Sequence, residues 1–174
     1  MIGSVHDVVA SKRKHYSINT SKKAWLKAAK EIGGKELLIK KYYQHIREMA
    51  NSRLFDCVGH IDVIKNFNSH SSLFSERTSW YHKEACKTLD EIAKVNMCIE
   101  INTSGWRRKC QSAYPSHWIL TEAHTRKIPI TIGSDTHTED TMISGLERAV
   151  SMAKEVGYKK IQKFKKRKMI DVKI

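Results

Sequence analysis

Apolar and polar positions alternate along the chain between short β-rich runs and longer helical ones. Phe55-Asp56-Cys57-Val58-Gly59-His60-Ile61, Asn96–Ile101 and Pro129–Gly133 are candidates for buried strands, and Met1–Val5 is a fourth run of that kind. Between them the period becomes helical. Leu38, Tyr42, Ile46 and Met49 share one face of Lys35–Asn51. Ala85, Leu89, Ile92 and Ala93 do so in Glu76–Lys94, and Leu146, Ala149, Val150 and Ala153 in Thr141–Val156. Ser116 or Pro115 opens a further helix to Arg126, because proline suits a first helical turn. Gly157 stands where a C-capping glycine belongs. This strand–helix order predicts an α/β fold with a parallel sheet and crossover helices.

Composition narrows the class. The chain has 174 residues with 40% hydrophobic and 29% charged positions, which excludes a disordered polymer and suits one domain or part of one. Its longest apolar stretches, such as Ile128–Gly133, fall far short of the roughly 20 residues that span a bilayer. Met1–Val9 already carries His6 and Asp7, unlike a signal peptide. Cys57, Cys86, Cys98 and Cys110 lie far apart with no CxxC, which suits reduced thiols and a cytoplasmic location.

Functional groups of parallel α/β sheets gather where strands end. The four β-rich runs end or continue in Ser4-Val5-His6, Gly59-His60-Ile61-Asp62, Glu100 to Arg107, and Gly133-Ser134-Asp135-Thr136-His137. On an extended chain, residues two apart point the same way, so His60 with Asp62, and Asp135 with His137, can each aim at one site. Imidazole and carboxylate together suit Zn, Mn or Fe, and Gly59, Gly105 and Gly133 allow close approach. The planar fork of Arg107 can grip a phosphate at two points. Each residue has a plainer reading. His60 alone could be a hydrogen-bonded core residue, and Asp62 a cap or an orienting neighbour. Asp135 could cap the following helix, with His137 on the surface, and Arg107 could be a solvated charge. His15, His70 and His117 fall in loops or helix starts, and His45, His82 and His124 in helices, where solvent or packing roles are expected.

Taken in order, Ile2-Gly3-Ser4-Val5-His6, Phe55 to Asp62, Ile99 to Arg107, Tyr114-Pro115-Ser116 and Ile132 to His137 resemble the histidinol-phosphate phosphatases of the polymerase-and-histidinol-phosphatase (PHP) metallohydrolase superfamily. The resemblance runs from residue 2 to about residue 158. It implies a PHP-type distorted (β/α)7 barrel with a trinuclear metal centre at its C-terminal strand ends. By that resemblance His6 and His60 are the two histidines of one metal site, Asp135 the carboxylate ligand of a second, and His137 a ligand of the third. Arg107 is then the arginine that contacts substrate phosphate, and the reaction hydrolyses L-histidinol phosphate in histidine biosynthesis.

The family's opening motifs are absent here: a His-x-His pair, further His and acidic ligands, and a bridging Glu. The resemblance therefore implies the C-terminal two-thirds of a PHP domain, without the first barrel strands and helices, that binds metal weakly and turns over little by itself. Thr136 also stands where the family usually has Ala. Alternatives are a PHP phosphoesterase with another phosphate-ester substrate, or a catalytically impaired remnant serving as a basic binding module.

The net charge of +14 concentrates at Ser11–Lys14, Ser21–Lys41 and a basic tail, residues 159–174. A solvated lysine-rich face accounts for it. Nucleic-acid binding is the rival, since attraction to phosphates needs only charge density. The expected partner is a small-molecule phosphate ester, with no membrane.

Overall fold

A computed structural model describes residues 1–11 and 14–174. Lys12 and Arg13, in the Ser11–Lys14 basic cluster, lie outside the described residues. All four predicted β runs are strands of one parallel sheet: β1 (Ile2–Gly3), β4 (Cys57–Val58), β5 (Cys98–Asn102) and β6 (Ile130–Gly133), hydrogen-bonded in that order. Cys57 lies between Ile2 and Cys98, and Ile99 opposite Ile130. Among the described residues the sheet is open, with β1 and β6 at its edges. Every residue of β5 is buried, as expected of a central strand covered on both faces.

The described residues also contain two antiparallel hairpins that the hydrophobic pattern does not announce. One joins β2 (Asp7–Ser11) to β3 (Lys14–Ser17), which carries His15. The other pairs β7 (Lys160–Lys165) with β8 (Lys168–Lys173) and gives structure to the basic tail. Lys166 and Arg167 take positive φ of 48° and 66° at its two-residue turn. Such turns normally use Asn-Gly or Asp-Gly, so nothing in the local composition signals this one.

Among the described residues, five α-helices accompany the sheet. Lys35–Asn51 (α2) matches its prediction to the residue, with Leu38, Ile39, Tyr42, Tyr43, Ile46 and Ala50 buried. Before it, α1 (Lys22–Ile32) occupies a stretch read only as a charge run. Trp25, Ala28, Ala29 and Ile32 form its buried stripe, and the lysines lie on the other side. Ser21 caps it through Ala24 N–H, and Gly33 ends it in the left-handed region at φ 101°. Helix α3 (Ser79–Lys94) begins later than predicted, since the Glu76 side chain accepts hydrogen bonds from Ser116 and Trp118. Helix α4 spans His117–Thr125. Helix α5 (Leu146–Val156) also starts late, because Gly145 sits at φ 77° packed against Trp106 and Thr103. Gly157 caps its C-terminus as expected. No helix among the described residues is long and apolar enough to cross a membrane.

Candidate metal and phosphate site

Because the four strands are parallel, the segments after β1, β4, β5 and β6 emerge at one edge of the sheet. The ladder runs past β4, with Gly59 N–H donating to Gly3 O at 2.8 Å. That pairing carries His60 up beside His6. Their ring centroids are 4.9 Å apart and nearly perpendicular, and Tyr114 stands against the other side of His60 at 6.3 Å.

His60 is buried, and its Nδ1 has no hydrogen-bond partner among the described residues. Burial, then the neighbouring His6, holds its pKa below the usual imidazole range. A neutral imidazole with an unpartnered buried nitrogen beside a second imidazole is the donor chemistry that a borderline divalent cation requires. Among the described residues, however, no three His, Cys, Asp or Glu side chains converge tightly enough to hold an ion unaided. The residues fit one corner of a metal centre.

Asp135 reaches this corner through Ser104, whose hydroxyl lies 3.3 Å from Asp135 Oδ2 and 2.7 Å from Asn102 Oδ1. His137 Nε2 is 4.0 Å from Asp135 Oδ1, with its side chain 83% exposed. Arg107 ends a 3-10 turn, Thr103–Arg107, and donates from Nη2 to Ser134 O at 2.8 Å, which sets an exposed guanidinium beside Asp135. With Arg108, Lys109, Asn19 and Asn66 it lines a cleft of about 580 Å³. Asn19 Nδ2 also lies 3.2 Å from His6 Nδ1.

The expectation that His60 and Asp62 point one way fails. His60 takes φ 27°, the chain leaves the extended conformation there, and Asp62 turns to Lys65 and Ser116 instead. Asp135, at φ 47°, breaks the extended chain in the same manner. Non-glycine residues in this region cost about 1–3 kcal/mol each and tend to cluster at functional sites.

Glu100 stands in the sequence only as the start of a strand-end segment, with no role of its own. Its carboxylate is buried in a slot between Gly59 and Gly133, where Oε2 accepts from His60 N–H at 3.2 Å and Asn102 Nδ2 at 2.9 Å. Burial raises its pKa. A carboxylate between Ile99 and Ile101 in a continuous buried run was the available signal. Asn102 and Ser104 continue the line to Asp135, so one polar chain joins three strand ends.

No family model matches the chain. It is 31% identical over 140 residues to a probable histidinol-phosphatase of Deinococcus radiodurans, covering 80% of this chain and 49% of that protein. It is 34% identical over 82 residues to the histidinol-phosphatase of Bacillus subtilis, covering 46% and 30%. The chain is similar to histidinol-phosphatases over part of their length. It spans about half the length, or less, of these two relatives. Two crystal structures share its fold. A candidate histidinol phosphatase of Listeria monocytogenes superposes with a TM-score of 0.76 at 21% identity, over 84% of this chain and 56% of that one. A histidinol phosphate phosphatase of Lactococcus lactis, crystallised with zinc, L-histidinol and phosphate, gives 0.66 at 15% identity over 97% and 60%.

Proposed function

We propose that the chain serves metal-dependent hydrolysis of a phosphate monoester, L-histidinol phosphate to L-histidinol and phosphate. The observation that carries this reading is the edge-on His6–His60 pair, with its unpartnered buried nitrogen, at the strand ends. In this reading His6 and His60 hold one divalent ion (Zn, Mn or Fe), and Asp135 and His137 offer ligands to neighbouring ions. Ser104 steadies the Asp135 carboxylate, and Arg107 orients the phosphoryl oxygens of the ester. When bound, the metal supplies a water of lowered pKa as nucleophile and a clamp on attacking and leaving oxygens. The open sheet is then part of a PHP-type distorted (β/α)7 barrel. Histidine biosynthesis and a cytoplasmic location go with this reaction.

A catalytic zinc site uses at least three protein ligands. With only one corner formed by the described residues, the chain by itself should bind zinc weakly and turn over slowly, which favours an impaired remnant as the second reading. The test is zinc titration calorimetry, with phosphate release measured from L-histidinol phosphate and from p-nitrophenyl phosphate. Weak zinc binding abolished by His60→Ala, with residual activity favouring histidinol phosphate, is expected. Zinc binding unchanged in both His6→Ala and His60→Ala would overturn the site.

A further inference from the structure

We infer that the buried Lys65–Asp62 ion pair is a positioning device that holds the His60 ring against His6. Both side chains are fully buried, with Nζ 2.7 Å from Asp62 Oδ2. Lys65 Nζ also donates to Ala113 O at 2.8 Å and to the Ser116 hydroxyl, so its three donors are all engaged. Asp62 Oδ2 accepts the Ser116 N–H at 2.9 Å. The pair thereby joins the loop after β4 to the Ala113–Ser116 turn. Tyr114 in that turn is tied to Asn102 in both directions and stands between the two sites, its ring 5.5 Å from Lys65 Nζ and 6.3 Å from the His60 ring.

Backbone hydrogen bonds already turn the chain behind His60, and the side-chain pair fixes that turn to the rest of the molecule. Val63 N–H donates to His60 O at 2.9 Å, and Lys65 N–H to Asp62 O at 3.1 Å. A buried ion pair is a poor source of net stability, because the desolvation of two charges offsets most of their attraction. Apolar replacements of similar volume are often neutral or stabilising. What the pair supplies is definition of conformation. A residue at φ 27° persists only where its surroundings over-determine it. Lys65 and Asp62 add to that constraint by tying the loop to Ala113 and Ser116, on either side of the Tyr114 ring that packs against His60.

The zinc arm of the test rests on the metal reading of His60; the ring-contact arm does not. The single change Lys65→Met strands a buried carboxylate and is prone to unfolding, so the informative variant is Lys65→Met with Asp62→Leu. In the metal-free 174-residue chain, the variant is expected to melt near the parent and to keep the Tyr43–Tyr81 ring contact. It should lose the inter-ring nuclear Overhauser effects between His6 and His60, and zinc should bind about tenfold more weakly or worse, as for other groups that orient metal ligands. A folded double variant that retains the His6–His60 contacts overturns the inference, as does one that fails to fold, since the pair would then be a general structural requirement. If the parent binds no zinc but the ring contacts still depend on the pair, the metal reading falls and the positioning role stands.

Discussion

A methyl group added at Gly133 would fall 2.1 Å from Glu100 Oε1 and 3.1 Å from its Cδ. To make room, the carboxylate must rotate or shift from its position between the two glycines. That movement withdraws Oε2 from the His60 N–H and from Asn102 Nδ2. Overpacking of this kind costs about 1–3 kcal/mol. A buried N–H left without its acceptor costs about 1–3 kcal/mol more, partly relieved by relaxation. Gly133→Ala should therefore destabilise by about 3 kcal/mol, which for a chain of this length lowers the melting temperature by about 6–12 °C. The assay is urea denaturation followed by tryptophan fluorescence, applied to Gly133→Ala, Glu100→Ala and the double variant. The three heavy atoms nearest that methyl all belong to Glu100, so removing the carboxylate relieves the clash. Most of the cost of Gly133→Ala should then disappear, giving a coupling between the two changes of about 1–3 kcal/mol, as expected of residues in contact. An equal cost in both backgrounds would refute the slot.

Stability should also report the burial of His60. Its folded pKa is lowered, so the unfolded chain takes up its proton first, near pH ~6.5. The metal-free protein should lose stability as pH falls from there through the folded pKa; His60→Gln should flatten that decline in melting temperature, and an unchanged slope refutes the assignment. Trp25 is fully buried and donates from Nε1 to Ile64 O at 3.0 Å. Trp25→Phe should cost about 1–3 kcal/mol in urea denaturation, and no shift in midpoint would show that this bond is worth nothing. Arg167, at the turn of the β7–β8 hairpin, donates from Nε and Nη2 to Asp56 and from Nη2 to Leu54 O. Arg167→Ala should speed amide exchange in β7 and β8 with little change in global melting, and unchanged exchange would dismiss the clamp.

The parallel sheet was legible because its strands are short apolar runs separated by helical periods, and Lys35–Asn51 is regular enough to read to the residue. Helix α1 was not legible as a helix because five lysines between residues 22 and 35 dominate its appearance, although Ser21 and Gly33 mark both ends. The β7–β8 hairpin was hidden for another reason, since Lys166-Arg167 adopts a turn that composition reserves for Asn and Gly. At the site, the strand-end positions of His6, His60 and Asp135 followed from the order of elements. The partners of Asp62 did not, because alternation of side chains ends where the backbone bends at His60. Glu100 carries no role of its own in the sequence because a buried carboxylate flanked by isoleucines reads as part of a strand, and only the neighbouring strands reveal the space that two glycines leave for it.

The bends at His60 and Asp135 place a conflict between durability and chemistry inside the molecule. Each turns through a backbone conformation that glycine enters freely and that a side chain enters at a penalty. Variants sorted only for heat tolerance, with no demand on metal or phosphate, should accumulate Asp135→Gly ahead of changes in the sheet, whereas burial holds the His60 imidazole in place. The mouth of the fold would be the first part to be traded away.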